Sequence, residues 1–252
     1  MDINNEYGLK ELHSELLTIL IDFDKICRDN GILYSLAYGS LLGGVRHNGF
    51  IPWDDDIDIM VDRENYNKLI KYLKSTKTQD YKFEQDLWIP KITRLATING
   101  KEIKIFLDIF IIDNVPDSKL FAKFKLLSVL LLEGMLKSGL NTKNSIFNII
   151  LSVICLILGF PFSKKRKQKW FNKVSQWGNK SHTCQVKCYN AIYSDLLMEY
   201  HPSNIMDNYI NIPFEGFSLM GIKEYDVYLK DIYGDYLTPP PVDERKPLHI
   251  TL

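Results

Sequence analysis

The stretch Pro52-Trp53-Asp54-Asp55-Asp56-Ile57-Asp58-Ile59-Met60-Val61 constrains this chain more than any other. From Asp56 onward acids and apolar residues alternate, the period of a strand whose two faces meet different surroundings. Asp56 and Asp58 then share one face while Ile57 and Ile59 enter the core. Neighbouring carboxylates repel each other and raise each other's pKa unless a cation lies between them, and an oxygen-rich pair of this kind suits Mg²⁺ or Mn²⁺. A third acid, Asp108, interrupts the apolar run Ile105-Phe106-Leu107-Asp108-Ile109-Phe110, where a carboxylate without a partner is costly to bury. A metal ion shared with Asp56 and Asp58 would supply that partner. Periodicity equally admits a solvated turn at Asp54, Asp55 and Asp56 and an exposed strand end at Asp108.

Around this pattern the chain reads as α/β. Leu9, Leu12, Leu16, Ile19, Leu20, Phe23, Ile26 and Cys27 recur at spacings of three and four, which predicts an amphipathic helix over about 8–29, stopped by Asn30-Gly31. Ile32 to Ala37 predicts a strand running into Gly39-Ser40, and Leu41 to Val45 a short helix closed near Asn48-Gly49. Residues 63–75 read as helix, and Ile89 to Thr97 and Ile103 to Ile112 as strands. From about 118 to 178 the pattern is helical and unusually apolar, and the last seventy residues, rich in Tyr and Pro, read as irregular. With 252 residues, 46% of them hydrophobic, a sizeable core is affordable. The expectation is one catalytic domain: a mixed-sheet core over about 30–115, a mostly helical insertion over about 118–195, and a C-terminal segment over about 213–250 packed back on the core.

Charge and cysteine usage narrow the function. Thirty-one basic and thirty-one acidic side chains leave no net charge, so the basic excess with which proteins grip a phosphate backbone is missing, and nucleic acid is not the expected partner. Cys27, Cys155, Cys184 and Cys188 are too few and too unevenly spaced for a disulfide framework, which suggests a reducing compartment. His182, Cys184 and Cys188 lack a clear fourth ligand, and no zinc is assigned to them. The first residues carry no basic and then apolar signal pattern. A cytoplasmic location follows.

Upstream of the acids, Gly39-Ser40 at the end of a predicted strand and the start of a helix offers backbone N–H groups and a hydroxyl to a phosphate. Gly-Ser, an Asp-hydrophobic-Asp strand and a later lone Asp together resemble the nucleotidyltransferase fold of the polymerase-β type. The continuous run Tyr38-Gly39-Ser40-Leu41-Leu42-Gly43-Gly44-Val45-Arg46-His47-Asn48-Gly49-Phe50-Ile51-Pro52-Trp53-Asp54-Asp55-Asp56-Ile57-Asp58-Ile59 is similar to the signature of the LicD family, which includes the fukutin-related transferases. Tyr225-Asp226-Val227-Tyr228-Leu229, Tyr233-Gly234-Asp235-Tyr236-Leu237, Pro239-Pro240, Arg245 and His249 resemble that family's tail motif. Gly221-Ile222-Lys223 departs from it, and in the middle of the chain none of the family's motifs is recognisable.

The resemblance implies phosphotransfer from a nucleotide-diphosphate-linked alcohol, typically CDP-choline, to a hydroxyl of a cell-surface glycan, such as teichoic acid or lipopolysaccharide, or of its lipid-linked precursor. Asp56 and Asp58 would hold the metal, and Asp108 would either complete that site or take the acceptor's proton. The resemblance also draws in Arg46 and His47, the first as a bidentate phosphate clamp, the second as a base or an ordering residue. Arg245 and His249 come with the tail motif. Lys91 and Arg94, on the strand predicted beside Asp108, are candidates for diphosphate contacts. Trp53, Trp88, Tyr34, Tyr38, Tyr233 and Tyr236 are either plain core or include a cage for a quaternary ammonium. Two rival readings are a nucleotidyltransferase that uses an NTP and a non-catalytic scaffold at a membrane surface.

Residues 146–162 carry no charge and precede Ser163-Lys164-Lys165-Arg166-Lys167. Such a length is at the lower limit for a membrane span. A span would also put the Asp core and the Tyr-Gly-Asp-Tyr tail on opposite sides of a bilayer. The expectation is therefore an interfacial element whose basic end meets anionic lipid at the inner face of the membrane; the alternative is a buried core helix.

Overall fold

The computed structural model describes residues 7–76, 81–85, 88–137, 146–178, 183–191 and 200–247. In chain order the elements begin with α1 (Lys10–Asp29), β1 (Ser35–Leu36), α2 (Tyr38–His47), β2 (Ile57–Asp62), α3 (Arg63–Ser75), β3 (Lys82–Glu84), β4 (Lys91–Ile98) and β5 (Lys101–Val115). There follow α4 (Lys119–Leu136), α5 (Ile146–Gly159), α6 (Lys164–Ser175), β6 (Gln185–Cys188), β7 (His201–Pro202), β8 (Tyr209–Phe214), β9 (Phe217–Ile222), α7 (Tyr225–Tyr233) and a 3₁₀ turn at Val242–Glu244. The α/β class expected from the sequence is what these elements build. They gather into two compact units, one of Met1–Glu84, Pro90–Ile111 and Asn204–Leu252, the other of Gln85–Ile89 and Ile112–Ser203.

In the first unit the sheet order is β1-β2-β5-β4-β3. β4 and β5 form an antiparallel hairpin closed by Asn99-Gly100, both at positive φ (50° and 74°), the pair that a tight primed turn requires. Its register sets Lys91 opposite Asp108. α1 buries Leu12, Leu16, Ile19, Leu20, Phe23 and Cys27, the stripe read from its periodicity. Asp62 caps α3 by accepting from the Asn65 N–H at 2.7 Å.

The C-terminal residues are more regular than their composition predicts. β8 and β9 are an antiparallel hairpin turned by Glu215-Gly216, both at positive φ. Pro213 inside β8 and the Glu-Gly turn hide it, because Pro demotes a strand pattern and Asn-Gly or Asp-Gly is the usual turn signal. The hairpin is tied to the N-terminal part of its unit: the Ile222 N–H donates to Ser35 Oγ (2.9 Å) and Arg28 to the Ser218 carbonyl (3.0 Å). Against α2 the approach is closer still, since a Cβ on Gly44 would lie 2.6 Å from Ile212. Glycine is required there by packing rather than by φ.

In the second unit Val129, Leu132, Met135 and Leu136 of α4 pack with Phe171 of α6, Val115 and Tyr189. β6 pairs with the end of β5, from Ile112 opposite Cys188 to Val115 opposite Gln185. Lys125 is buried in this core because its ammonium donates to the carbonyls of Asn114 (2.7 Å) and Trp177 (2.8 Å) and lies 4.1 Å from the Tyr189 ring centre. No helix among the described residues is long and apolar enough to cross a membrane. Nor is α5 a core helix: Ile150, Leu151, Val153, Ile154, Ile157 and Leu158 are all exposed.

Candidate active site

The turn from β1 into α2 fixes the first acid. The Asp58 carbonyl accepts from the Ala37 N–H (2.9 Å), and the Asp58 N–H donates to Ser40 Oγ (2.9 Å), so both backbone groups of Asp58 are held by the turn. Tyr38 between them has φ 40°, a left-handed conformation that a bulky side chain rarely adopts and that packing must hold. Its ring sits edge-on to Phe110 (4.6 Å) and near Tyr228 (6.1 Å). The hydroxyl expected to meet a phosphate thus has its oxygen engaged with β2, which makes Ser40 a positioning residue. Ser40→Ala leaves the Asp58 N–H unpaired and is expected to cost about 1–3 kcal/mol, read as a lower urea midpoint at unchanged slope; an unchanged midpoint would show that this bond contributes nothing.

The acids gather from two elements and the loop before β2. Carboxylate oxygens of Asp54, Asp55 and Asp56 lie within 4.8 Å of one another. Asp55, Asp56 and Asp108 are buried. Burial, then the charges of Asp56 and Asp55, push the Asp54 carboxyl well above its usual range. Asp58 is pushed up in the same way, by burial first and then by Asp56, Asp108 and Asp54, with Lys91 opposing. The Lys91 ammonium is 2.7 and 2.8 Å from the two Asp108 oxygens and 3.9 Å from the Phe106 ring centre. Asp58 feels the charges of both Asp56 and Asp108, so the three expected ligands share one electrostatic neighbourhood, but the carboxylates close enough to meet one ion are those of Asp54, Asp55 and Asp56. The solvated-turn alternative fails for Asp55 and Asp56.

Asp54 belongs to the same group, although it precedes the alternating pattern of β2. Its carboxylate lies over Gly39, where any Cβ would collide with it. That places a carboxyl group at the N-terminus of α2, where the helix dipole favours its ionised form against the upward push of its neighbours. Its carbonyl accepts from His13 Nε2 (2.7 Å), and the His13 ring stacks on Phe50 at 4.4 Å. Nε2 accordingly carries the proton, and burial holds His13 below its usual pKa. Such an all-carboxylate donor set, mutually repelling and shielded from water, fits Mg²⁺ or Mn²⁺ better than softer ions.

Beside the acids a cleft of about 430 Å³ is lined by Gly39, Arg46, Trp53, Asp54, Tyr233 and Tyr236, among others. Arg46 Nη1 donates to the Tyr236 carbonyl (2.7 Å). Arg245 lies 5.1 Å from the Trp53 ring centre and its Nε donates to the Pro240 carbonyl (2.9 Å). The tail motif thus brings a second guanidinium to the first motif. Burial, then Arg46 and Arg245, lower the pKa of His47, so its imidazole is neutral at neutral pH. Arg46 and Lys246, set in the cleft against Asp54, Asp55, Asp235 and Glu244, are the cations able to contact a diphosphate there.

Arg94 does not join the site. It sits three residues after Lys91 on β4, an odd spacing that turns it to the other face, where it pairs with Glu15 of α1. His249 lies outside the described residues. Of the aromatic candidates, Trp53, Tyr233 and Tyr236 line the cleft. Tyr34 is buried with its hydroxyl on Asp24, and Trp88 in the second unit lies under Lys137.

The model of the LicD/FKTN/FKRP nucleotidyltransferase domain matches residues 31–123. The chain is also 30% identical over 263 aligned residues to lipopolysaccharide cholinephosphotransferase LicD of Haemophilus influenzae, covering 96% of each protein. The chain belongs to the LicD family. An uncharacterized protein of Rickettsia typhi is 31% identical over 102 residues (40% of this chain, 30% of that protein), and one of Rickettsia prowazekii is 32% identical over 111 residues (44% and 38%). The matched LicD segment contains the acids and the Gly39-Ser40 turn, whereas the Tyr236 carbonyl and Arg245 come from residues beyond it.

Proposed function

We propose that this LicD-family chain is a metal-dependent phosphotransferase with a nucleotidyltransferase-like core. It moves phosphocholine, or a related phospho-alcohol, from a CDP-linked donor to a hydroxyl of a cell-surface glycan or its lipid-linked precursor, and works at the inner face of the membrane. The observation that carries this reading is the carboxylate group beside the cleft that Arg46 lines, within one compact unit. The Haemophilus relative, a lipopolysaccharide cholinephosphotransferase by name, supports choline as the alcohol and a lipopolysaccharide-type acceptor.

Asp56, Asp58 and Asp108, with Asp54 beside them, would hold Mg²⁺ or Mn²⁺, which neutralises a diphosphate and stabilises charge on a transferring phosphoryl group. Arg46 and Lys246 supply positive charge to the donor's phosphate oxygens. Trp53, Tyr233 and Tyr236 offer ring faces to a quaternary ammonium. Lys91 holds Asp108 in place through both carboxylate oxygens, and Asp108 would take the acceptor's hydroxyl proton when it is not a ligand. His47, neutral beside two guanidiniums, orders the cleft rather than storing a proton.

The products decide. With CDP-choline and Mg²⁺ or Mn²⁺, release of CMP together with acceptor-linked phosphocholine is expected, and chelation by EDTA should stop it. CDP-ethanolamine, CDP-glycerol and CDP-ribitol in the same assay rank the alcohols. Pyrophosphate released from an NTP instead would replace this reading with nucleotidyl transfer, and no binding of any metal-nucleotide would replace it with a scaffold.

A further inference from the structure

We infer that α4, α5 and α6 form a docking surface for an anionic lipid bilayer. The inference names the partner behind the membrane location proposed above; it takes from that reading only the place of work, not the chemistry. All three helices belong to the second unit.

The apolar part of the surface is one stripe on each of two helices. α4 buries Val129, Leu132 and Leu136 but exposes Leu120, Phe121, Phe124, Leu127 and Leu131, whose spacing keeps them together along the helix. α5 buries Cys155 and exposes its own stripe at Ile150, Ile154 and Ile157, and Phe160 just beyond it is 90% exposed. Trp177 stands edge-on to Phe121 (5.8 Å) and Phe124 (6.1 Å), the kind of ring that settles where apolar and wet surroundings meet. Stripes of this size left to water mark an interaction surface.

Charge identifies the partner. Between residues 119 and 178 stand eleven Lys and Arg, of which Lys125 is buried in the core and Lys137 pairs with Glu133, the single acid of the segment, in a chain whose overall charge is zero. A second copy laid on this surface would set like charges against like. A bilayer with anionic head groups supplies both halves of the complement, an acyl boundary for the Phe and Leu side chains and phosphates for the cations. Lys165, Lys169 and Lys173, one turn apart on α6, line a shallow groove of about 520 Å³ with the amides of Gln85, Gln168 and Gln176. Lys167 has another task, since its ammonium donates to the Met135 carbonyl at 2.7 Å near the end of α4.

Flotation of the full chain with vesicles tests the inference. Vesicles containing phosphatidylglycerol should carry the protein, pure phosphatidylcholine should not, and raising salt should weaken the binding because screening shortens the reach of the cations. Replacing Lys165, Arg166, Lys169 and Lys173 by Gln should weaken binding by roughly fivefold per residue, several hundredfold together. Phe124→Asp with Ile157→Asp should detach the protein at an unchanged thermal midpoint, because both side chains are already exposed. Absence of flotation, or equal flotation with phosphatidylcholine, overturns the inference. So does a parent that sediments as a dimer and becomes monomeric with Phe124→Asp. CMP release with a water-soluble acceptor reads the chemistry separately: its loss would count against the transfer reading and leave the surface standing.

Discussion

Asp56→Asn and Asp58→Asn are each expected to lower turnover by roughly a thousandfold, the several kcal/mol that a metal-held carboxylate contributes to the transition state, while the fold survives. The Asp58 backbone is anchored by Ala37 and Ser40, and Asn keeps those bonds. What Asn removes is repulsion. Burial and the neighbouring acids raise the folded pKa of Asp58, so the folded chain holds that proton more tightly than the unfolded one. Stability from this source is present at low pH and is lost as pH rises through the folded pKa. Without added metal, the variant should therefore match the parent near pH 3 and equal or exceed its thermal midpoint at neutral pH. Millimolar Mg²⁺ or Mn²⁺ should raise the parent's midpoint more than the variant's. Turnover near the parent's level in either variant would remove both residues from the metal site.

Arg46→Ala should raise the donor KM by roughly ten- to a hundredfold, the range for losing a charged hydrogen-bonding partner, with a smaller change in kcat. The guanidinium lines the cleft and is tethered to the Tyr236 carbonyl, so Arg46→Lys, which keeps the charge but not the planar fork, should recover only part of the loss. Ser40→Ala is the comparison. Its hydroxyl oxygen serves the Asp58 N–H, and its effect belongs mainly to stability rather than to donor affinity. A larger rise in donor KM for Ser40→Ala than for Arg46→Ala would assign phosphate recognition to the backbone turn at Gly39-Ser40.

Wherever a local period encodes the backbone, the chain by itself determined the outcome. The alternation from Asp56 to Ile59 runs into β2 and sets Asp58 on the opposite face from the buried Ile57 and Ile59, and the apolar stripe of α1 marked its buried face. The expectation that Lys91 and Arg94 both reach a diphosphate fails for Arg94, because residues three apart on a strand cannot share a face. Asp54 and Asp55 precede the strand and obey no period, so only the packing of the 51–54 turn against Gly39 and His13 brought Asp54 to the site. The Arg245 and Trp53 pair and the Arg46 bond to Tyr236 were likewise settled by tertiary structure. Periodicity reports on neighbours within a few residues, whereas these contacts join positions some forty to two hundred residues apart, and their partners follow from which surfaces close together when the chain folds.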